Sequence, residues 1–239
     1  MERDRAPADD PSDHHGGMMN GQQTDAQRLL FYLTMLQEDL TPELAGLEKK
    51  ALASDVPIIR KDTQMFLRLL LQMNRPKRIL EIGTAVGFSA LLMASYTPAE
   101  TSIVTLENYQ KRIALAKENI RSFGMEDRIR LIEGDAATTL QEMSKSGTGP
   151  FDFVFIDAAK AQYSVYFELL HSLTKSQSVI VSDNCLQDSE IIESHYAVIR
   201  RNRTIHKRMR DYLQRICHDE DYVSQVLPIG DGVAVCVRK

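Results

Sequence analysis

The chain has 239 residues, 43% hydrophobic and 26% charged, an ordinary globular composition that excludes disorder along its whole length and allows one large core or two small ones. No window approaches 18 consecutive apolar residues, and the start, MERDRAPADD, lacks the basic and apolar stretches of a signal peptide. Neither a membrane span nor export is therefore expected, and the expected location is cytoplasmic. The net charge of −4 resides in residues 1–25, where six acids stand against Arg3 and Arg5, leaving 27 charges of each sign in the body.

Residues 1–24 are rich in Asp, Pro, Gly, Gln and Met without apolar periodicity, which predicts a disordered acidic tail ahead of a single domain over 25–239. From Ala26 the pattern turns helical: RLLFYLTML, PELAGLEKKALA and TQMFLRLLLQM each repeat apolar residues every three or four positions. After Pro76, short apolar runs alternate with amphipathic stretches. Strands are predicted at 77–82, 102–107, 128–133, 151–157 and 177–183, with helices starting near Gly87, Tyr109, Ala136 and Lys160. Five such alternations predict an α/β fold, a parallel sheet with helices on both faces. A long helical region is expected from about Ser189 to Cys217. The chain then ends in VSQVLPIGDGVAVCVRK, where Gly230, Asp231 and Gly232 turn one strand back on another, giving seven strands with the last antiparallel. Cys185, Cys217 and Cys236 are odd in number and wrongly spaced for a disulfide framework or a zinc site, and read as reduced structural thiols.

Open parallel sheets bind ligands outside the carboxyl ends of their strands, so those ends are where chemistry is sought. The first strand runs into Glu81-Ile82-Gly83-Thr84-Ala85-Val86-Gly87-Phe88-Ser89, where Gly83 and Gly87 allow a tight turn. This is neither GxGxxG nor a phosphate loop with its lysine, which disfavours a dinucleotide or a nucleoside triphosphate. The second strand ends in Glu107, placed to accept from the hydroxyls of a ribose. The third ends in Gly134-Asp135-Ala136, where Asp135 can accept from an adenine amino group and the Ala136 N–H can donate to a ring nitrogen.

Taken together, EIGTAVGFSA, TLE, GDA, FIDAAK and SDN resemble the class I S-adenosylmethionine-dependent methyltransferases, and more narrowly the cation-dependent catechol and caffeoyl-CoA O-methyltransferases. The resemblance covers roughly Val56 to Lys239. It implies a Rossmann-like seven-stranded sheet with extra N-terminal helices. It also implies S-adenosylmethionine as cofactor, held by Val56, Glu81, Gly83, Ser89, Glu107, Asp135, Ala136 and Asp157.

Asp157 closes the fourth predicted strand and Asp183 with Asn184 closes the fifth, so three oxygen donors fall at neighbouring strand ends. An all-oxygen set suits Mg²⁺, Mn²⁺ or Ca²⁺, with Mg²⁺ the expected ion. The alternative is that the carboxylates cap helices or touch the cofactor, but the neutral oxygen of Asn184 is one that capping does not require. Lys160 stands three residues after Asp157, at a helix start whose positive end disfavours an ammonium. The Asp-x-x-Lys match to the catechol enzymes implies a general base there. Tyr163 reads equally as a pocket or a core residue.

A cation that binds two vicinal oxygens suits a catechol and equally 5-hydroxyuridine, whose O5 neighbours the C4 carbonyl. The C-terminal segments IRRNRTIHKRMRDYL and VLPIGDGVAVCVRK are similar to those of the bacterial tRNA 5-hydroxyuridine methyltransferases, which implies methylation to 5-methoxyuridine at the wobble position. Arg200, Arg201, Arg203 and Lys207 are then expected to meet the phosphates of the anticodon arm, although Asp211 could pair with part of the run. The rival readings are a small-molecule catechol or phenol O-methyltransferase and a non-catalytic RNA- or cofactor-binding module. A homodimer is expected by the same resemblance, with the N-terminal helices as its apolar interface.

Overall fold

The computed structural model describes residues 25–186, 191–194 and 196–239, so the expected disorder of residues 1–24 lies outside the described residues. The described residues divide into two units, one ending at Gln37 and one running over Glu38–Lys239. The first contains helix α1 (Asp25–Met35), which exposes Leu29, Phe31, Tyr32 and Met35.

The second unit opens with α2 (Pro42–Ala53) and α3 (Lys61–Asn74). Pro42 stands in the first turn of α2, where its missing N–H costs nothing, and the Thr41 hydroxyl accepts from Leu44 N at 3.4 Å. The remaining elements are β1 (Arg78–Ile82), α4 (Phe88–Ser95), β2 (Ser102–Glu107), α5 (Gln110–Ser122), β3 (Ile129–Glu133), α6 (Ala136–Ser146), β4 (Phe151–Ile156), α7 (Tyr163–Leu170), β5 (Thr174–Ser182), α8 (Arg203–Cys217), β6 (Tyr222–Leu227) and β7 (Val233–Arg238). The strands form one sheet in the order β3-β2-β1-β4-β5-β7-β6. The first five run parallel, and β7 is antiparallel to both β5 and β6. The predicted α/β sheet with its terminal hairpin is therefore present.

Alternation along β4 shows why the sheet sits between two layers. Phe153 and Phe155 enter the cluster formed with α2, α3 and α4, while Val154 and Ile156 enter the opposite one with α6, α7 and α8. All four are fully buried. At about 1.5–3 kcal/mol per large apolar side chain, this strand alone contributes several kcal/mol of burial free energy to each face. No helix among the described residues is long and apolar enough to cross a membrane. The three cysteines are free, with Cys185 and Cys236 buried.

Three boundaries differ from the sequence reading by three residues or more. The long helix expected from Ser189 is shorter: over the described residues, a 3₁₀ turn at Arg200–Asn202 leads into α8 at Arg203. The helix expected to start at Lys160 begins at Tyr163, and Lys160–Gln162 form a 3₁₀ turn before it. The end expected at 183 for the fifth strand matches closely, but β5 starts three residues earlier than predicted, at Thr174.

Candidate active site

The chain order reverses between β1 and β4, and the crevice at this switch point holds a cavity of about 510 Å³. Gly83, Glu107, Ala136, Asp157, Lys160 and Asn184 line it. Gly83 sits at φ +100°, and a Cβ there would lie 2.1 Å from the Asp157 carbonyl oxygen. Only glycine lets the two strand ends approach this closely. Ser89 lines an adjoining cleft together with Gly83 and Asp157.

Glu107 is fixed by its surroundings. Its Oε2 accepts from Ala85 N at 2.8 Å, and its Oε1 accepts from Asn108 N and Tyr109 N at 2.9 and 3.0 Å. An ionised carboxylate has about four acceptor positions, so one remains, on Oε2, for a ligand hydroxyl. Asp135 is exposed and caps α6 through Oδ1, which accepts from Thr138 N at 2.9 Å; its neighbours Gly134 and Ala136 line the cavity, and Asp135 stands at its edge between them. Glu81 lies wholly buried behind the cavity, where desolvation pushes its carboxyl up to about 7. Its Oε2 accepts from the Thr105 hydroxyl, and Oε1 has no partner among the described residues. A buried acceptor of this kind fits a bound cofactor's ammonium or a water that bridges to one. Val56 does not line the cavity: it packs with the cluster of α2 and α3, and Pro57 and Ile58 after it form the wall.

The acidic centre comes together across β4 and β5. Asn184 Nδ2 donates to Asp157 Oδ1 at 3.1 Å, and Asn184 N donates to Asp183 Oδ1 at 2.8 Å. Asn184 takes φ +60°, a left-handed conformation that asparagine tolerates better than most side chains. Burial, then the charge of Asp157, pushes the Asp183 carboxyl up to about 7. Burial likewise raises Asp157, opposed by the cation of Lys160 and, further down, by Arg112. Two like-charged, desolvated carboxylates beside an amide that can turn its oxygen inward fit a divalent cation, whose charge would offset their repulsion.

Tyr163 belongs to the core. It is fully buried, and its hydroxyl donates to the Asp183 carbonyl oxygen at 3.0 Å. Tyr166, one helical turn on, lines the cavity instead. Among the other lining residues that sequence reasoning missed are Asn108, Arg112 and Asp231. Asp231 reads in the sequence only as a turn residue. Its partner Arg60, 2.5 Å away, and the bond from Gly230 N to Asp62 Oδ2 at 2.8 Å show that the terminal hairpin closes onto the start of α3. Arg112 falls in the first turn of the helix after Glu107, a position that the spacing alone could have flagged.

The basic run divides by role. Arg200 and Arg201 are exposed, and among the described residues their guanidinium groups make no hydrogen bond or ion pair. Arg203 donates through Nε to Val198 O and through Nη2 to Tyr196 O, both at 3.1 Å. Lys207 pairs with Asp211 at 2.6 Å, the pairing that the sequence allowed. Arg208 Nη1 donates to Ala161 O at 3.2 Å, which ties α8 to the turn that carries Lys160.

Residues 36–239 match the family model described as O-methyltransferase. A catechol O-methyltransferase of Niastella koreensis is 36% identical over 130 residues, 54% of this chain and 59% of the relative's length. A caffeoyl-CoA O-methyltransferase of Populus trichocarpa is 30% identical over 183 residues, covering 74% of this chain and 73% of the relative. The crystal structure of a Bacillus cereus O-methyltransferase in complex with SAH superimposes with a TM-score of 0.78 at 27% identity, over 89% of this chain and 97% of that one.

Proposed function

The chain belongs to the S-adenosylmethionine-dependent O-methyltransferase family, and from that premise we propose that it methylates the 5-hydroxyl of 5-hydroxyuridine at the wobble position of tRNA in a cation-dependent reaction. The observation that carries the chemistry is the single cavity in which Asp157, Asn184 and Lys160 face the nucleoside-binding residues Glu107 and Ala136. Asp157, Asp183 and Asn184 would hold the cation. When bound, S-adenosylmethionine supplies a sulfonium methyl group, and the divalent cation supplies charge stabilisation for two vicinal acceptor oxygens.

The chain's own groups do the rest. Glu107 accepts from a ribose hydroxyl, Asp135 and Ala136 N address the adenine edge, and the Gly83 turn lets the donor sit close to Asp157. Lys160, in its neutral amine form, takes the proton from the acceptor hydroxyl on Nζ as general base and becomes the ammonium, so that the oxygen can accept the methyl group. The bond from Arg208 to Ala161 O holds the Lys160 turn in place.

The exposed Arg200 and Arg201, in the turn that leads into α8, support RNA as the acceptor, because phosphate contacts supply most sequence-independent affinity. Unstacked anticodon bases can also enter a pocket without duplex flipping. The names of the relatives favour a second reading, a small-molecule catechol as acceptor. Mass spectrometry of tRNA nucleosides from a deletion strain separates the two. Loss of 5-methoxyuridine with accumulation of 5-hydroxyuridine is expected, and unchanged nucleosides would leave the catechol reading.

A further inference from the structure

Arg112 lines the cavity, yet none of the roles given to the other lining residues uses it. It stands in the first turn of α5, where a cation opposes the helix dipole, so support of that helix does not account for it. The residue is half-buried, and among the described residues its guanidinium makes no hydrogen bond or ion pair. Its Cζ lies over the Tyr109 ring, 5.6 Å from the centroid, a contact that occupies none of its N–H donors. A permanent cation that lines a cavity with its donor fork unused fits an anionic ligand, which the planar fork binds through two parallel hydrogen bonds.

The cofactor does not supply that anion. Its one negative group is a carboxylate, borne by the same carbon as its ammonium. The buried acceptor that fits the ammonium, Glu81, lies beside Ser89, in the adjoining cleft that Gly83, Ser89 and Asp157 line and Arg112 does not. The adenosine end, at Glu107 and Ala136, carries no charge. We propose that Arg112 is a specificity-determining residue that grips an anionic oxygen of the acceptor. Resting on the reading of RNA as the acceptor, that oxygen belongs to a phosphate flanking the methylated nucleotide. The base and ribose bring no anion besides the reacting oxygen, which the cation holds, so a phosphate is what such an acceptor has left to offer. A carboxylate on a small catechol carries the same chemistry. In either case Arg112 selects acceptors by charge, whereas the cation site selects them by their vicinal oxygens.

The test is steady-state methylation by the full chain with Mg²⁺ and saturating S-adenosylmethionine. The RNA acceptors are a synthetic anticodon stem-loop carrying 5-hydroxyuridine, and two versions in which the phosphate on one or the other side of that nucleotide is a neutral methylphosphonate. Catechol and 3,4-dihydroxybenzoate are the small acceptors. Arg112→Gln should lower kcat/KM for the stem-loop by about 10- to 150-fold, the range for a hydrogen bond to a charged group, and should do so through KM. One of the two methylphosphonates should cost the wild type about as much and cost Arg112→Gln nothing further. Arg112→Lys, which keeps the charge without the fork, should fall between the two proteins. Activity on catechol and the calorimetric affinity for S-adenosylmethionine should stay within about twofold of wild type. A loss confined to 3,4-dihydroxybenzoate would keep the anchor and overturn phosphate as its partner, as would additive losses from the variant and both methylphosphonates. A stem-loop that the wild type does not methylate would overturn the RNA reading and leave the anchor to be decided by the two small acceptors. A loss shared by catechol, a weakened cofactor affinity, or no loss on either charged acceptor would overturn the anchor itself.

Discussion

Asp183→Asn should make the metal-free protein more stable while removing its activity. The Asp183 carboxyl is 2% exposed, and burial followed by the charge of Asp157 raises it from 3.8 to about 7. The sign follows from proton linkage: an acid raised on folding favours the folded state below its unfolded value and progressively loses that contribution as pH rises through the folded value. At about 1.4 kcal/mol per pH unit, the ionised carboxylate costs the metal-free fold roughly 4 kcal/mol at pH 8, about half of that at pH 5.5, and little near pH 4. Asparagine keeps an oxygen for the bond from Asn184 N and cannot ionise. Urea unfolding in chelator should therefore show a gain of about 2–4 kcal/mol for the variant at pH 8, shrinking as pH falls. Added Mg²⁺ should stabilise the wild type and leave the variant unchanged. Equal stability of the two proteins at pH 8 would refute the buried, repelling pair, and a Mg²⁺ effect of equal size in both would remove Asp183 from the cation site.

Three further outcomes follow from the same geometry. Lys160→Ala should lower kcat by about 10² to 10⁴ with little change in cofactor affinity, and recovery at high cofactor concentration would make the lysine a binding group. Glu107→Ala should weaken cofactor binding in calorimetry, and because its carboxylate accepts from Ala85, Asn108 and Tyr109, it should also lower the melting temperature. Arg208→Gln should reduce kcat and leave RNA affinity and its salt slope as they are, because the guanidinium faces Ala161 O. A flattened salt slope would place Arg208 on phosphate instead.

Much of the fold and the site is legible in the sequence because the relevant signals are local. The alternation of Phe153 to Ile156 and the apolar runs before Glu81, Glu107 and Asp157 mark buried parallel strands, and the acids at their ends fall where such a sheet binds ligands. What is not legible depends on contacts between distant segments. Ile191, Ile192, Tyr196, Val198 and Ile199 imitate a helical stripe, yet the backbone of that segment is held by arginine side chains from α8, which periodicity does not register. Asp231 reads as a hairpin residue until Arg60 and Asp62 bring the hairpin to the cavity wall. The resemblance assigns Val56 to the cofactor, while the chain path puts Pro57 and Ile58 at the wall.

The most direct measurement is an in vitro reaction of the purified chain with S-adenosylmethionine, Mg²⁺ and tRNA carrying 5-hydroxyuridine, followed by nucleoside mass spectrometry, with a free catechol in a parallel reaction. The account predicts 5-methoxyuridine in the tRNA reaction, its loss in EDTA, and its loss with Asp157→Ala. Methylated catechol with untouched tRNA, or full activity in chelator, would contradict it.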